Sequence, residues 1–454
     1  MSAARGDFSK GTVPALIMRL GTPIMLAELV HVLYNVVDRM YIGRMRDGGT
    51  LALTGIGVSF PLITLIGAFA NLCSTGGATL ATIARGEGDD ARARRIMETA
   101  FTGLLGIGVF LTAVLYFTAP VTLRLLGGDA DTLPAALSYF QVYVLGTVPV
   151  LISLGMNAYI NAQGFPRVGM VTVLLGAALN IALDPLFIYV LDMKARGAAL
   201  ATVISQTASA AWVLLFLCGK KPPLRLQKLS IDGKEMRSIL KLGVTGFTFK
   251  VTNSLTQAIV NIMLKAWGGA LSTLYVGGMS LINSLREIMS LPTNGITAAG
   301  QSVMSYNYGA KEYRRVSDCI WFMFLCGLVT NVCMWALVML VPEPLIRIFS
   351  NDQALIRTAA ECARIYFGAF PFMALQLAGQ STFVALNYPR YALFFSLLRK
   401  VLLVAPLTLL LPGLGLGVHG VFWAEFISQL TGASLCFFTM YRLIWRHMKE
   451  GRGA

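Results

Sequence analysis

The stretch LLGAALNIALDPLFIY (Leu174–Tyr189) has the features that decide the fold class of this chain. Apart from Asn180, Asp184 and the final tyrosine it is apolar, and it lies inside a longer apolar segment near residues 168–191. About 20 apolar residues in a helix span the roughly 30 Å hydrocarbon core of a bilayer. We therefore predict that this segment crosses a membrane as a helix and carries an acid into it.

The composition extends this prediction to the whole chain. Of the 454 residues, 56% are hydrophobic and only 13% are charged, and the mean hydropathy is +0.67. A water-soluble protein of this length needs more charge on its surface. Alternating strands of the kind found in membrane barrels are absent, so the spanning element is the helix. The fold class that we predict is an all-α polytopic membrane protein.

Twelve apolar segments can be counted, six on each side of one long basic linker. We place them near 13–37, 51–83, 97–119, 134–160, 168–191, 197–217, 240–265, 272–304, 317–341, 357–383, 391–411 and 417–441. This layout predicts an N-terminal lobe at 1–218, a cytoplasmic linker at 219–238 and a C-terminal lobe at 239–454.

The two halves repeat each other at an offset of 223 residues, and scarce residue types match without a gap. Matching pairs are Gly77 and Gly300, Arg124 and Arg347, Asp129 and Asp352, Tyr143 and Tyr366, Pro166-Arg167 and Pro389-Arg390, and Ser205-Gln206 and Ser428-Gln429. Tandem copies of a membrane unit are typical of transporters whose halves move about a shared site.

The basic residues predict the orientation of the chain. The linker, the Arg85–Arg95 and Lys311–Arg315 segments and the tail after Arg442 fall on one side, which the positive-inside rule assigns to the cytoplasm. We therefore expect a cell-membrane protein with both termini cytoplasmic. The net charge of +15 reflects this topology, and nucleic acid is not an expected partner because no basic soluble module is present. Exceptions on the opposite side are Arg39, Arg44 and Arg46.

Motifs for catalysis or a resident cofactor are not found. The seven cysteines show no C-x-x-C spacing, and the three histidines (His31, His419 and His447) are scattered. A nucleophile elbow, P-loop or dinucleotide fingerprint is also missing. We expect neither an enzyme nor a cofactor.

Polar residues inside apolar spans are costly and mark functional sites. In the first span Glu28, His31, Asn35 and Asp38 share one helix face, and Pro23 is expected to kink that helix. Asn180 and Asp184 lie one turn apart in the fifth span, and Thr202 lies in the sixth. Their oxygens could bind Na⁺ or accept a proton. Two simpler interpretations stay open: Asp38 lies at the lipid head groups, and Thr202 only packs.

Several runs of sequence resemble the multidrug and toxic-compound extrusion (MATE) transporters. They are YNVVDRMYIGR (Tyr34–Arg44), NAQGFPR (Asn161–Arg167), ALNIALDPLFIY, GAALATVISQ (Gly197–Gln206), SYNYGA (Ser305–Ala310) and ALNYPR (Ala385–Arg390). The resemblance covers nearly the whole chain and is strongest for the bacterial branch with a cation site in the N-terminal lobe.

The resemblance implies two pseudo-symmetric six-helix bundles around a central cavity. It implies a Na⁺ or H⁺ site at Asp38, Asn180, Asp184 and Thr202. It also implies a monomeric antiporter in membrane lipid that exports cationic amphipathic small molecules by alternating access. Two facing carboxylates in a lobe of low dielectric cannot both stay ionised without a cation or a proton, which suits such coupling.

The second half lacks a counterpart of the Asn180–Asp184 pair, because Leu403 and Leu407 occupy those positions at the 223-residue offset. Glu425 occupies the position of Thr202. Polar groups that could contact substrate are Glu28, Asn35, Gln257, Asn261, Glu287, Arg399 and Glu425. A structural interpretation competes, in which Arg399 or Lys400 pairs with Glu425, and Arg286 pairs with Glu287 or another acid.

Other transporters and other classes remain as alternatives. A flippase for lipid-linked oligosaccharide or precursor, from the related superfamily, would have a more basic cavity, as Arg286, Arg399 and Lys400 would allow. A major-facilitator transporter would carry a G-x-x-x-D-R loop, whereas Arg85–Arg95 reads RGEGDDARARR. A membrane scaffold or channel is less favoured, because nothing long and soluble could serve as a docking domain.

Overall fold

The computed structural model describes residues 7–43, 49–126 and 132–453, and helices account for nearly all of this part of the chain. Within these ranges no β-strand is present. The described residues do not include Arg44 and Arg46, which are exceptions to the predicted charge asymmetry, or Asp129, which belongs to the repeat. The side chain of Arg39 is also not described.

Six helices make up the first half. They are α1 (Val13–Gly43), α2 (Gly49–Gly86), α3 (Asp90–Leu125), α4 (Leu133–Leu145 with Thr147–Ala162), α5 (Pro166–Val190) and α6 (Lys194–Cys218). The two parts of α4 meet at Gly146 with a bend of 57°.

Six more helices follow the linker. They are α7 (Gly233–Trp267), α8 (Ser272–Gly309), α9 (Tyr313–Leu340), α10 (Gln353–Phe367 with Met373–Ala385), α11 (Pro389–Leu414) and α12 (His419–Lys449). A short helix, Pro342–Arg347, precedes α10. Each of the twelve predicted spans therefore coincides with one of these helices.

Length and apolar composition qualify eight of the described helices to cross a membrane, or nine when the bent α4 counts as one span. The predicted all-α polytopic membrane fold is confirmed. α7, α8 and α10 do not pass the same test, because polar residues interrupt them or a break shortens them.

Contacts divide the chain into two compact units. Unit 1 comprises the described residues up to Lys10 together with Thr22–Phe247, and unit 2 comprises Gly11–Gly21 together with Thr248–Ala454. The lobe boundaries that the linker predicts, at 218 and 239, stay a prediction.

Close glycine packing attaches the start of α7 to unit 1. A Cβ added at Gly243 would overlap the carbonyl oxygen of Leu72, and one added at Gly76 would overlap that of Ile239. Small residues let membrane helices approach this closely. The first part of α7 therefore packs on α2 and belongs to unit 1.

The linker is bound along α3 by hydrogen bonds. Glu98, which is 1% exposed, accepts a bond from the backbone N–H of Gln227 at 3.3 Å. The backbone N–H groups of Ser230 and Asp232 donate to threonine hydroxyls of the same helix, each at 3.2 Å. These bonds satisfy backbone N–H groups of the linker that lie outside any helix, and they order the polar connection.

One interhelical hydrogen bond occurs in both halves at the repeat offset. In α4 the amide of Asn157 donates to the carbonyl oxygen of Gly169 at 3.3 Å, and in α10 the amide of Gln380 donates to that of Ala392 at 2.7 Å. Asn157 and Gly169 each precede their counterparts by 223 residues. The duplication seen in the sequence therefore extends to a specific contact.

Candidate functional site

The fifth helix positions the first two site residues. Asn180 and Asp184 are 2% and 0% exposed, and the Nδ2 of Asn180 donates to an Asp184 carboxylate oxygen at 3.4 Å. A spacing of four residues places both side chains on one helix face. Pro185 follows, and α5 widens into a π-helical turn at Leu186–Val190. Such turns inside α-helices frequently occur at functional sites.

Thr202 on α6 faces this pair. The same Asn180 amide nitrogen lies 3.5 Å from the Thr202 hydroxyl oxygen, which itself donates to the carbonyl of Ala198 at 3.0 Å. The hydroxyl proton is therefore directed along α6, and the oxygen presents its lone pairs toward Asn180.

Asp38 on α1 completes the group, because its carboxyl lies within side-chain hydrogen-bonding range of that of Asp184. Two carboxyl groups can hydrogen-bond directly only when one of them carries a proton. α1, α5 and α6 thus bring together all four residues that the resemblance assigns to the cation site.

Two tyrosines lie near the acids and are not among the site residues that the sequence predicts. Tyr34 and Tyr139 both lie within electrostatic range of Asp38 and Asp184. Tyr34 begins the quoted run Tyr34–Arg44, one turn before Asp38, so its position was available as a signal. Tyr139 lies on α4, and only the tertiary structure shows that it is near.

Two oxygens at the site lack a protein partner. Asn180 Oδ1 and Asp184 Oδ2 are buried and accept no hydrogen bond from the residues described. Buried oxygens in this state favour a hard cation or a proton. A transition-metal centre is not supported, since no three His, Cys, Asp or Glu side chains cluster within the described ranges.

A cavity of about 50 Å³ adjoins the site within unit 1. Polar residues that line it include His31, Ser153 and Gln206, and the Ser153 hydroxyl donates to the Gln206 side-chain oxygen at 2.6 Å. A volume of this size holds a few water molecules. His31 is the residue of the first-span polar face that lines the cavity, beside Tyr34 of the same helix, whereas Glu28 and Asn35 are partly buried outside the lining.

The second unit contains a buried cluster of charges around Glu425. Its carboxylate accepts hydrogen bonds from Arg399 at 3.0 Å, from Lys400 at 3.3 Å and from Gln429 at 3.2 Å. The three charged side chains are 5–7% exposed. Glu425 is thus held in an ion-pair network, as buried acids in membranes usually are.

The other second-half candidates lie apart from this network or at its edge. Gln257 and Asn261 on α7 bond each other at 3.4 Å, and Gln257 lines a cavity of about 20 Å³ beside Glu425. Glu287 is exposed, and it forms no ion pair with the adjacent Arg286. In the described part of the chain no acid lies within 4 Å of the Arg286 guanidinium.

Comparisons with known proteins agree with this layout. The family model described as MatE matches residues 23–186 and 251–410, one block in each half. The multidrug export protein MepA of Staphylococcus aureus is 24% identical over 439 residues, covering 96% of this chain and 95% of that protein.

Solved structures share the fold. One is an outward-facing multidrug resistance MATE family transporter of the MOP superfamily, with a TM-score of 0.91 at 20% identity over 99% of both chains. Another is a MATE in complex with MaL6, also with a TM-score of 0.91 at 20% identity, covering 99% of this chain and all of that one. Because the family model matches well over half of its residues, this chain belongs to the MatE family of multidrug and toxic-compound extrusion transporters.

Proposed function

We propose that this protein is a cation-coupled antiporter that exports cationic amphipathic small molecules by alternating access, with Na⁺ or H⁺ as the coupling ion. The observation that carries the proposal is the group formed by the buried Asn180 and Asp184 with the half-buried Asp38 and Thr202, whose oxygens converge within unit 1. The export activity named for MepA supports the direction of transport.

The chemistry of the site suits reversible ion binding. Binding of one Na⁺ or H⁺ reduces the negative charge of the two acids by one and provides a partner for the buried oxygens Asn180 Oδ1 and Asp184 Oδ2. A tenfold ion gradient supplies about 1.4 kcal/mol, and each charge that crosses a potential of 100 mV supplies about 2.3 kcal/mol more. Because Asp38 lies on α1 with Pro23, ion binding is expected to change the bend of that helix and reshape the adjoining cavity.

Reconstituted vesicles test the coupling. A fluorescent cationic dye is followed while a Na⁺ or a pH gradient is imposed separately, which also identifies the ion. We expect dye movement that follows one gradient and is lost in Asp38→Asn. The matched control is Asp192→Asn, an exposed acid after α5. Unchanged gradient-driven transport by Asp38→Asn contradicts the proposal.

A flippase of the related superfamily is a second candidate, favoured by the proximity of Arg286, Arg399 and Lys400 in unit 2. The small cavity beside them, of about 20 Å³, argues against a pyrophosphate head group. Movement of a lipid-linked precursor by the same vesicles, without gradient-driven dye transport, would favour the flippase.

The proposed orientation places both termini in the cytoplasm. Cys218, at the end of α6, is exposed, and Leu126, at the end of α3, is 41% exposed. In variants that retain a single cysteine, a membrane-impermeant maleimide should label Cys218 only in permeabilised cells. It should label Leu126→Cys in intact cells. The reverse pattern would invert the topology.

A further inference from the structure

The charges around the small cavity in unit 2 do not balance. The cavity is lined by Arg286, Lys400, Glu425 and Tyr366, among others, and Arg399, which is not part of the lining, donates a hydrogen bond to Glu425. Arginine does not lose its proton in proteins. The two guanidiniums alone therefore outnumber the single acid, and Lys400 adds further positive charge when it is protonated.

The excess charge is concentrated on Arg286. Arg399 and Lys400 share Glu425 at 3.0 and 3.3 Å, whereas Arg286 forms no ion pair or side-chain hydrogen bond with any described residue. Its interactions with Tyr366 and Glu425 are electrostatic and longer-ranged. Leaving a partly buried cation without an anion in a membrane protein is costly.

Polar and apolar side chains make up the rest of the lining. Asn253 and Gln257 on α7 carry amide groups that can donate hydrogen bonds, whereas the Thr256 hydroxyl already donates to the carbonyl of Thr252. The cavity volume of about 20 Å³ exceeds the roughly 10–15 Å³ that one water needs, so it holds one or two water-sized polar groups, such as the oxygens of a carboxylate. Apolar side chains (Val260, Met279, Val404 and Val421) complete the walls.

We propose that this cavity is an anion subsite, which binds the carboxylate of an amphipathic molecule through Arg286 and Lys400. The substrate range would then include amphipathic acids and zwitterions in addition to cations. This inference goes beyond the proposed coupling, since it involves unit 2 and none of the residues of the cation site. Arg286 offers a planar guanidinium fork that matches a carboxylate.

Binding by the purified full-length protein tests the subsite directly. The probe is a dansyl-labelled alkanoate, and its methyl ester is the neutral match. We expect the acid to bind at least about tenfold tighter than the ester, the value of a charge-assisted hydrogen bond in a buried site. Equal affinities for acid and ester would overturn the proposal.

Substitutions show which residues cause the preference for the acid over the ester. Arg286→Gln should remove the preference for the acid, whereas Arg357→Gln, the same change at an exposed arginine of α10, should keep it. Gln257→Glu is a nearly isosteric change that introduces an internal carboxylate beside the cations. It should weaken binding of the acid about tenfold and leave the ester unchanged. An acid preference that persists in both Arg286→Gln and Gln257→Glu refutes the subsite.

Competition by sodium acetate shows whether the site binds a free small carboxylate or only a carboxylate attached to a larger apolar molecule. Displacement of the probe by acetate indicates a site for free small carboxylates, and resistance to acetate indicates that the apolar body is required. Loss of gradient-driven dye export in Asp38→Asn concerns the coupling alone. Failure of the subsite and failure of the proposed function are therefore distinguishable.

Discussion

The hydroxyl of Thr202 and the carboxylate of Glu425 stand at equivalent positions of the two halves and have different surroundings. Thr202 lies beside Asn180 and the acid pair, so its oxygen adds to a set of acceptors. Glu425 lies among cations that hold it in place. One position of the repeat thus serves a site rich in oxygen acceptors in unit 1 and a site with excess positive charge in unit 2.

Thr202→Val removes the hydroxyl and keeps the shape of the side chain. We expect the ion concentration for half-maximal transport to rise roughly two- to tenfold, since one hydrogen bond contributes about 0.5–1.5 kcal/mol. Gradient-driven dye flux at varied Na⁺ or H⁺ concentration measures this change. Thr207→Val is the matched control, because that exposed hydroxyl also bonds the carbonyl four residues earlier on α6. An equal effect in both variants would assign Thr202 to packing.

Among the structural elements, the linker and α7 show how the two halves of the chain are joined. The linker is bound to α3, and the first part of α7 packs on α2, so both belong to unit 1. The sequence predicts the linker from its charge but not its attachment. Backbone N–H groups make these bonds, and a sequence does not show which side chain will accept them.

Gly243→Ala tests the packing of α7 on α2. The added Cβ would meet the backbone carbonyl of Leu72, which cannot rotate away, so the helices must separate. Overpacking of this kind costs about 1–3 kcal/mol. We expect the apparent melting temperature in detergent, measured by thermal-shift fluorescence, to fall by several degrees. Gly106→Ala on α3, where a Cβ would meet open space, should cause no such fall.

Glu98→Ala tests the attachment of the linker. The variant leaves the N–H of Gln227 without its acceptor, and a bond to a charged group contributes about 1.5–3 kcal/mol. Local opening should then be more frequent, and trypsin should cleave the basic linker roughly tenfold faster or more. Glu361→Ala, at an exposed glutamate of α10, is the control. Unchanged cleavage of the Glu98 variant would mean that other contacts hold the linker.

For the whole molecule, the apolar segments and the 223-residue repeat predict twelve helices and their order, and a helix of the described residues lies at each predicted position. The four proposed cation-site residues came from motifs, and the structure brings them together. Tyr139 and the unbalanced Arg286 could not be predicted, because both depend on distances between helices far apart in sequence. Local patterns determine the elements, whereas charge balance in a membrane depends on the assembled fold.

We propose an ion-coupling site in unit 1 and none in unit 2, so neutralising one acid in each unit should have opposite effects on the ion dependence of dye export. Asp184→Asn should abolish the dependence of dye export on the ion gradient, since it removes one member of the carboxyl pair. Glu425→Gln should keep that dependence, although loss of the acid between Arg399 and Lys400 destabilises the protein by about 3–5 kcal/mol. Flux at several imposed gradients measures the dependence.

If Glu425→Gln proves too unstable to reconstitute, combining it with Arg399→Met removes the bonded cation that cannot lose its proton, and the remaining Lys400 can be neutral when buried. Replacing a buried ion pair in this way costs far less than breaking it. The double variant should also respond to the gradient. Coupling that is lost with Glu425 and retained without Asp184 would move the ion site into the second unit. It would also mean that the oxygens grouped around Asp184 serve only to pack the helices.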